Sequence, residues 1–196
     1  MRGKKEISKY FTNFKIVVAK MLGGLFFDKK YLRGKFFGSD GVGWLWVWRS
    51  ILWQKIFRMN AHVPYPVSPF ILIPYPESIE FDVDSLNVFQ GIGNYFCTQW
   101  NSKIIIGKNV WIAPNVGIIS ANHDLENPGL PGKGEVTKIG DDCWIGMNAT
   151  ILPGVEIGAH TIVGAGSVVT KSFPGGKVII GGNPACIIKS VGDVPE

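Results

Sequence analysis

The sequence predicts an all-β fold, a parallel β-helix of hexapeptide repeats, preceded by a short, partly helical N-terminal region. Three observations carry that prediction. From residue 139 a β-branched aliphatic returns every six positions, at Ile139, Ile145, Ile151, Ile157, Val163 and Val169. Four residues after the first five come small or β-branched residues: Cys143, Ala149, Val155, Thr161 and Ser167. The same phase occurs earlier at Ile106, Ile112 and Ile118, with Val110 and Val116 at the secondary position. A period of six fits neither a helix nor a simple strand, and fixed self-similarity marks a stacked repeat architecture.

The elements follow in chain order. Residues 1–58 are basic and aromatic, with 13 Lys/Arg against 3 Asp/Glu; the rest of the chain holds 7 against 12. Four tryptophans fall between Phe26 and Phe57. Such a segment either packs helices on the main domain with its lysines snorkelling outward, or lies on an anionic membrane surface. No recognition motif supports nucleic-acid binding. Residues 59–79 carry five prolines between Asn60 and Ser78 and read as an extended connector and domain boundary. Residues 80–190 form the β-helix, and "IGNYF" at 92–96 reads as a weaker first repeat. Each hexapeptide supplies one short strand and one turn, and three close a triangular coil. The aliphatic points inward, the small residue sits inward near a corner, and the glycines at 140, 146, 158 and 164 supply the positive φ of the turns. An inserted loop at 121–138 interrupts the period, and 191–196 is a tail. Insertions at a solenoid corner leave the stacked core intact, and loops this long are often functional.

Composition excludes several classes. Three cysteines, Cys97, Cys143 and Cys186, have no paired spacing and suit a reduced compartment. His62, His123 and His160 are too scattered for a zinc site, so no metal is expected. The apolar stretch from Ile16 to Phe27 is short, is interrupted by Lys20 and lacks a cleavage pattern, so a cytoplasmic protein without a transmembrane helix is expected. A site at the inner face of the cell membrane stays open.

"ANHD", "IGDDCWIGMNATILPGVEIG", "VGAGSVVTK" and "GGNPACIIK" together resemble the left-handed β-helix of the hexapeptide-repeat acyltransferases, of the sugar and polysaccharide O-acetyltransferase type. The resemblance covers roughly residues 80–190. It implies an acetyl-CoA-dependent enzyme acting on a sugar hydroxyl, in the context of bacterial surface polysaccharide, as a homotrimer with sites between subunits. The alternatives are a small soluble acceptor or a scaffold without activity. A zinc-dependent carbonic anhydrase on this fold needs three converging histidines, which this chain lacks.

The resemblance also assigns residues. His123 matches the family's catalytic histidine at the base of the loop, and an imidazole suits proton removal near neutrality. Asn122 and Asp124 either orient it or contact the acceptor, or simply make a turn. Trp144 matches an aromatic beside the active site. Met147 and Ala165 match positions whose backbone binds the pantetheine arm. Thr170, Lys171 and Lys189 match the nucleotide and phosphate end. Cys186 departs from the family, where a basic residue is common, which puts one phosphate contact in doubt. Trp100 and Trp111 are candidates for burial between subunits. His160 reads as a solvated turn residue and Cys143 as core.

Overall fold

The computed structural model describes residues 2–39, 41–99 and 101–193; Trp100 lies outside them. The chain divides into two compact units, 1–69 and 70–196.

The first unit is helical, so the molecule as a whole is not all-β. Helix α1 spans Arg2–Phe26 and α2 spans Val42–Ser50, and a π-helical turn, Ile51–Ile56, continues α2. Ala19, Phe27 and Val47 form its core with Leu32, Phe37, Trp44, Trp48 and Ile51 around them. Gly23 permits the approach of the helices: a Cβ there would lie 3.2 Å from Val47. The proline-rich residues cannot build a ladder of their own. Gln54 supplies the missing partners. Its buried amide nitrogen donates to the carbonyls of Asn60, Val63 and Tyr65, and its oxygen accepts from the Val67 N–H at 3.0 Å. The Ser50 hydroxyl donates to the Val67 carbonyl. The proline-rich segment therefore divides between the units, its first half bonded to the helical one.

The second unit is the coiled sheet. Its described strands are β1 (Ile79–Phe81), β2 (Tyr95–Cys97), β3 (Lys103–Ile106), β4 (Trp111–Ile112), β5 (Gly117–Ile119), β6 (Val136–Ile139), β7 (Trp144–Ile145), β8 (Thr150–Ile151), β9 (Glu156–Ile157), β10 (Ile162–Val163), β11 (Val168–Val169), β12 (Val178–Gly182) and β13 (Ala185–Ser190). They make three faces, β2-β5-β8-β11, β1-β3-β6-β9 and β4-β7-β10-β12-β13. All neighbours are parallel except β12 and β13, whose antiparallel hairpin closes one end. Register gives the coil length directly. Trp144 pairs with Ile162, Lys138 with Glu156 and Thr150 with Val168, each 18 residues on.

The inward columns follow the sequence phase. Ile139, Ile145, Ile151, Ile157, Val163 and Val169 are buried, as are Cys143, Ala149, Val155, Thr161 and Ser167. Ile112 is only partly buried. The first coil departs from the expected repeat: Ile92 is exposed, and Phe96, paired with Ile118, takes the inward place. The 3₁₀ turn Val83–Phe89 fills that coil's third side and stacks Phe89 between Phe81 and Phe96.

The repeat glycines do a different job from the one expected. Gly140, Gly146, Gly158 and Gly164 are not at positive φ. Added Cβ atoms at Gly140 and Gly146 would lie 2.6 Å from the backbone nitrogens of Ala159 and Ala165 in the next coil. Gly140, Gly146 and Gly158 therefore serve close stacking, whereas a Cβ at Gly164 would have room, its nearest neighbour being 3.4 Å away. The left-handed corners belong instead to Asp142, Asn148, Gly154, His160 and Gly166, again every six residues. Asn, Asp and Gly are the residues that tolerate this region best. His160 is thereby a solvated corner residue.

The Cys143 thiol donates to the Gly158 carbonyl at 3.2 Å, and burial pushes its pKa up to about 11. Gly146→Ala should cost about 1–3 kcal/mol by overpacking, read as a lowered Tm in thermal unfolding. Gln54→Leu should cost about 1–3 kcal/mol by orphaning buried backbone groups, with residues 60–68 becoming the first site of limited proteolysis. A thiol reagent at pH 8 should label exposed Cys186 and leave Cys143 untouched until the chain unfolds. Because the fold holds the Cys143 proton to higher pH than the unfolded chain does, its stabilisation falls as pH rises from about 9 towards about 11.

Candidate functional site

The interruption in the period lies on one edge of the prism. Gly117 pairs with Thr150 and Lys103 with Val136, each 33 residues on rather than 18. The extra chain leaves after β5 and rejoins at β6. The loop is shorter than the expected 121–138, because 136–138 already form β6 and Thr137 is buried, donating to the Ile119 carbonyl at 2.7 Å.

The loop braces itself. The Gly132 N–H donates to the Asn122 carbonyl at 2.8 Å, and His123 and Pro131 form an antiparallel bridge. The Asp124 N–H donates to the Leu130 carbonyl, and its carboxylate accepts from the N–H groups of Glu126 and Asn127, both at 2.9 Å. That is an Asx turn, so the Asp124 oxygen is committed to the loop backbone. A Cβ on Gly132 would lie 2.8 Å from the His123 carbonyl, so only glycine lets the returning arm press on the histidine's backbone. At the base, Glu135 N–H donates to Ser120 and Lys103 N–H to Glu135.

His123 is exposed, and among the described residues nothing hydrogen-bonds its imidazole. It lines an open cleft of about 390 Å³ with Asn122, Asp124, Lys133 and Glu135. Lys133 and Glu135 also line an adjoining cleft of about 640 Å³ with Asn101, Lys103 and Gly154. Sequence reasoning missed Lys133 and Glu135. They lie outside the repeat and in no motif; only the loop's return path brings them beside His123. Among the described residues no group of three His, Cys, Asp or Glu side chains could hold a metal ion.

The remaining candidates fall into two groups. Trp144 pairs in sequence with Ile162, Ile162 with Ile179, and Ile179 with Lys189, so Trp144 and Lys189 share one row on the outer face of β4-β7-β10-β12-β13. Trp111, in register with Trp144, extends the row; the two indoles are 57% and 54% exposed. Met147 and Ala165 occupy successive coils at the corner beside this face, where Gly166 N–H donates to the Met147 carbonyl at 2.8 Å. Thr170 and Lys171 lie elsewhere, on the edge that carries the loop. There Ser172 accepts from the Glu156 N–H, and the Lys171 ammonium lies 5.8 Å from the Phe173 ring centre. One chain therefore does not bring its loop edge and its Trp144–Lys189 row together.

Comparison with known proteins agrees with this architecture. The family model described as bacterial transferase hexapeptide (six repeats) matches residues 137–171. A Dictyostelium discoideum protein with a provisional assignment as an acetyltransferase is 50% identical over 147 residues, covering 73% of this chain and 73% of that protein. The galactoside O-acetyltransferase of Escherichia coli K12 is 38% identical over 112 residues, 52% of this chain and 54% of that enzyme. A solved hexapeptide-repeat-containing acetyltransferase from Vibrio cholerae superposes with a TM-score of 0.55 at 30% identity, covering 64% of this chain and 69% of that one. The chain thus spans about half the length of some curated relatives and nearly three quarters of others. An 18-residue coil, glycines that admit the next coil and a self-braced loop on one edge, together with these likenesses, make the chain a member of the hexapeptide-repeat acetyltransferase family.

Proposed function

We propose that this chain transfers an acetyl group from acetyl-CoA to a sugar hydroxyl, with His123 as the general base, in a site completed between copies of a homotrimer. The observation that carries the reading is the His123 imidazole, which lines a cleft, is held by a braced loop and has no described partner. A general base must reach a substrate proton, and an imidazole already bonded within the chain would not be free to do so.

The chemistry needs little else. The His123 imidazole takes the hydroxyl proton as the sugar oxygen attacks the thioester carbonyl carbon. Backbone N–H donors near the loop would hold the negative charge on the carbonyl oxygen. Collapse breaks the C–S bond, and the imidazolium returns its proton to the departing thiolate. The exposed strip of Trp144, Met147 and Ala165, ending at Lys189, fits a pantetheine arm and its phosphates: apolar surface with a cation at one end. Thr170 and Lys171 would meet the same coenzyme from a neighbouring chain. Intersubunit assembly is supported by the separation of the two groups within one chain and by Leu125, which stands 97% exposed at the loop tip. Asn122, with Lys133 and Glu135 lining the same cleft, would meet the acceptor.

The acceptor we favour is a surface polysaccharide or its lipid-linked precursor, which would draw the enzyme to the inner face of the cell membrane. The support is the strongly basic, aromatic N-terminal unit. A second reading, a small free sugar, is favoured by the likeness to a galactoside O-acetyltransferase. Thiol release from acetyl-CoA should depend on acceptor, and a panel of mono- and oligosaccharides separates the two readings. His123→Ala should lower kcat by roughly 10²–10⁴-fold while calorimetry shows acetyl-CoA binding retained. A variant as fast as the parent would make His123 a turn residue and end this mechanism.

A further inference from the structure

Helix α1 has two apolar faces, and only one is used. Ala19 and Gly23 face the first unit's core. Tyr10, Phe11, Phe14, Val17, Met21 and Leu25 point away from it and are 54–77% exposed. At 3.6 residues per turn these six fall within an arc of about 120°, a continuous stripe along the helix. Phe14 meets the Trp48 ring at 6.3 Å and still remains largely exposed. Lys9 and Lys20 flank the stripe on one side and Lys15 on the other. Lys20 donates to the Ser39 carbonyl without losing its exposure. The helix carries six basic residues, Arg2, Lys4, Lys5, Lys9, Lys15 and Lys20, against one acid, Glu6.

We propose that this stripe is a membrane-surface anchor: α1 lies in the plane of an anionic lipid bilayer, its aromatic and aliphatic side chains among the acyl chains and its lysines on the lipid phosphates. Lipid is the occupant that matches both features. A protein groove would account for the apolar residues alone; lysines on both flanks and a net charge of +10 over residues 1–58 match an anionic sheet. The helix cannot cross the bilayer, since no described helix is long and apolar enough. The inference stands on the first unit alone and is independent of the catalytic reading.

The test is flotation of the full chain with phosphatidylglycerol–phosphatidylcholine vesicles, against phosphatidylcholine alone, with solution mass measured in parallel. The parent should float only with the anionic vesicles and be released by high salt. Tyr10→Glu with Met21→Glu, at positions 75% and 74% exposed, should abolish flotation with unchanged circular dichroism. Lys9→Gln with Lys15→Gln, which leaves the apolar stripe whole, should weaken partitioning roughly fivefold per lysine. A parent that stays unbound overturns the proposal, as does a glutamate variant that floats equally well. A parent that ignores vesicles while the glutamate variant drops to a smaller assembly would make the stripe a contact between copies and would also overturn it.

Discussion

Everything in the second unit depends on the close parallel stacking of backbone from coil to coil. Gly146 N–H reaches the Val163 carbonyl at 2.8 Å, and Gly140 N–H reaches that of Ile157 at the same distance. Those distances leave no room for a Cβ on either glycine. Once the backbones are that near, the inward apolar side chains form continuous columns, such as Phe96, Ile118, Ile151 and Val169. Neither feature suffices alone. A column without close stacking leaves voids, and stacked backbone without a column has no apolar core to offset the entropy of ordering.

The same stacking explains how the site can be built on an irregular segment. A coil whose three sides are paired above and below tolerates added residues at a corner, because register is set by the strands rather than by the loop. The loop has few buried residues to hold it and is shaped by its own polar groups: the Asp124 turn, the Gly132 contact and the bonds at Ser120 and Glu135. His123 thereby gains a defined backbone and keeps a free side chain. Buried Thr161 and Ser167, by contrast, spend their hydroxyls on the carbonyls of Gly158 and Gly164, three residues back. Polar groups in the core close turns, and Asp124 and Asn127 do the same on the loop; the His123 imidazole is left without such a bond among the described residues.

The first unit follows different physics. It combines aromatic packing with a buried amide, Gln54, that bonds four backbone groups of a proline-rich segment. Its charge is opposite in sign to that of the coils, and its outer surface is more apolar than solution alone would favour. The chain thus joins a coiled sheet that carries the candidate site to a helical unit with a basic, aromatic surface.

The period-six aliphatics and the small residues after them determined the coil and its core, because a repeat that must stack on itself has to carry its inward residues at fixed intervals. The sequence also marked the edge that bears the loop, through the interruption after Ile118, and singled out His123 there. It did not show the phase of the first coil, where Phe96 rather than Ile92 turns inward, because one irregular coil offers no repetition to read. It misassigned the repeat glycines, because a need for positive φ and a need for close approach leave the same residue in the sequence. The corner series Asp142, Asn148, Gly154, His160 and Gly166 was legible but hidden by its varied residue types. Only the tertiary structure placed Lys133 and Glu135 beside His123, set Trp144 and Lys189 on one row, and put that row on a different side from the loop. Those relations join residues through strand pairing and loop return, and a linear pattern carries no information about which side of a coil an inserted segment comes back to.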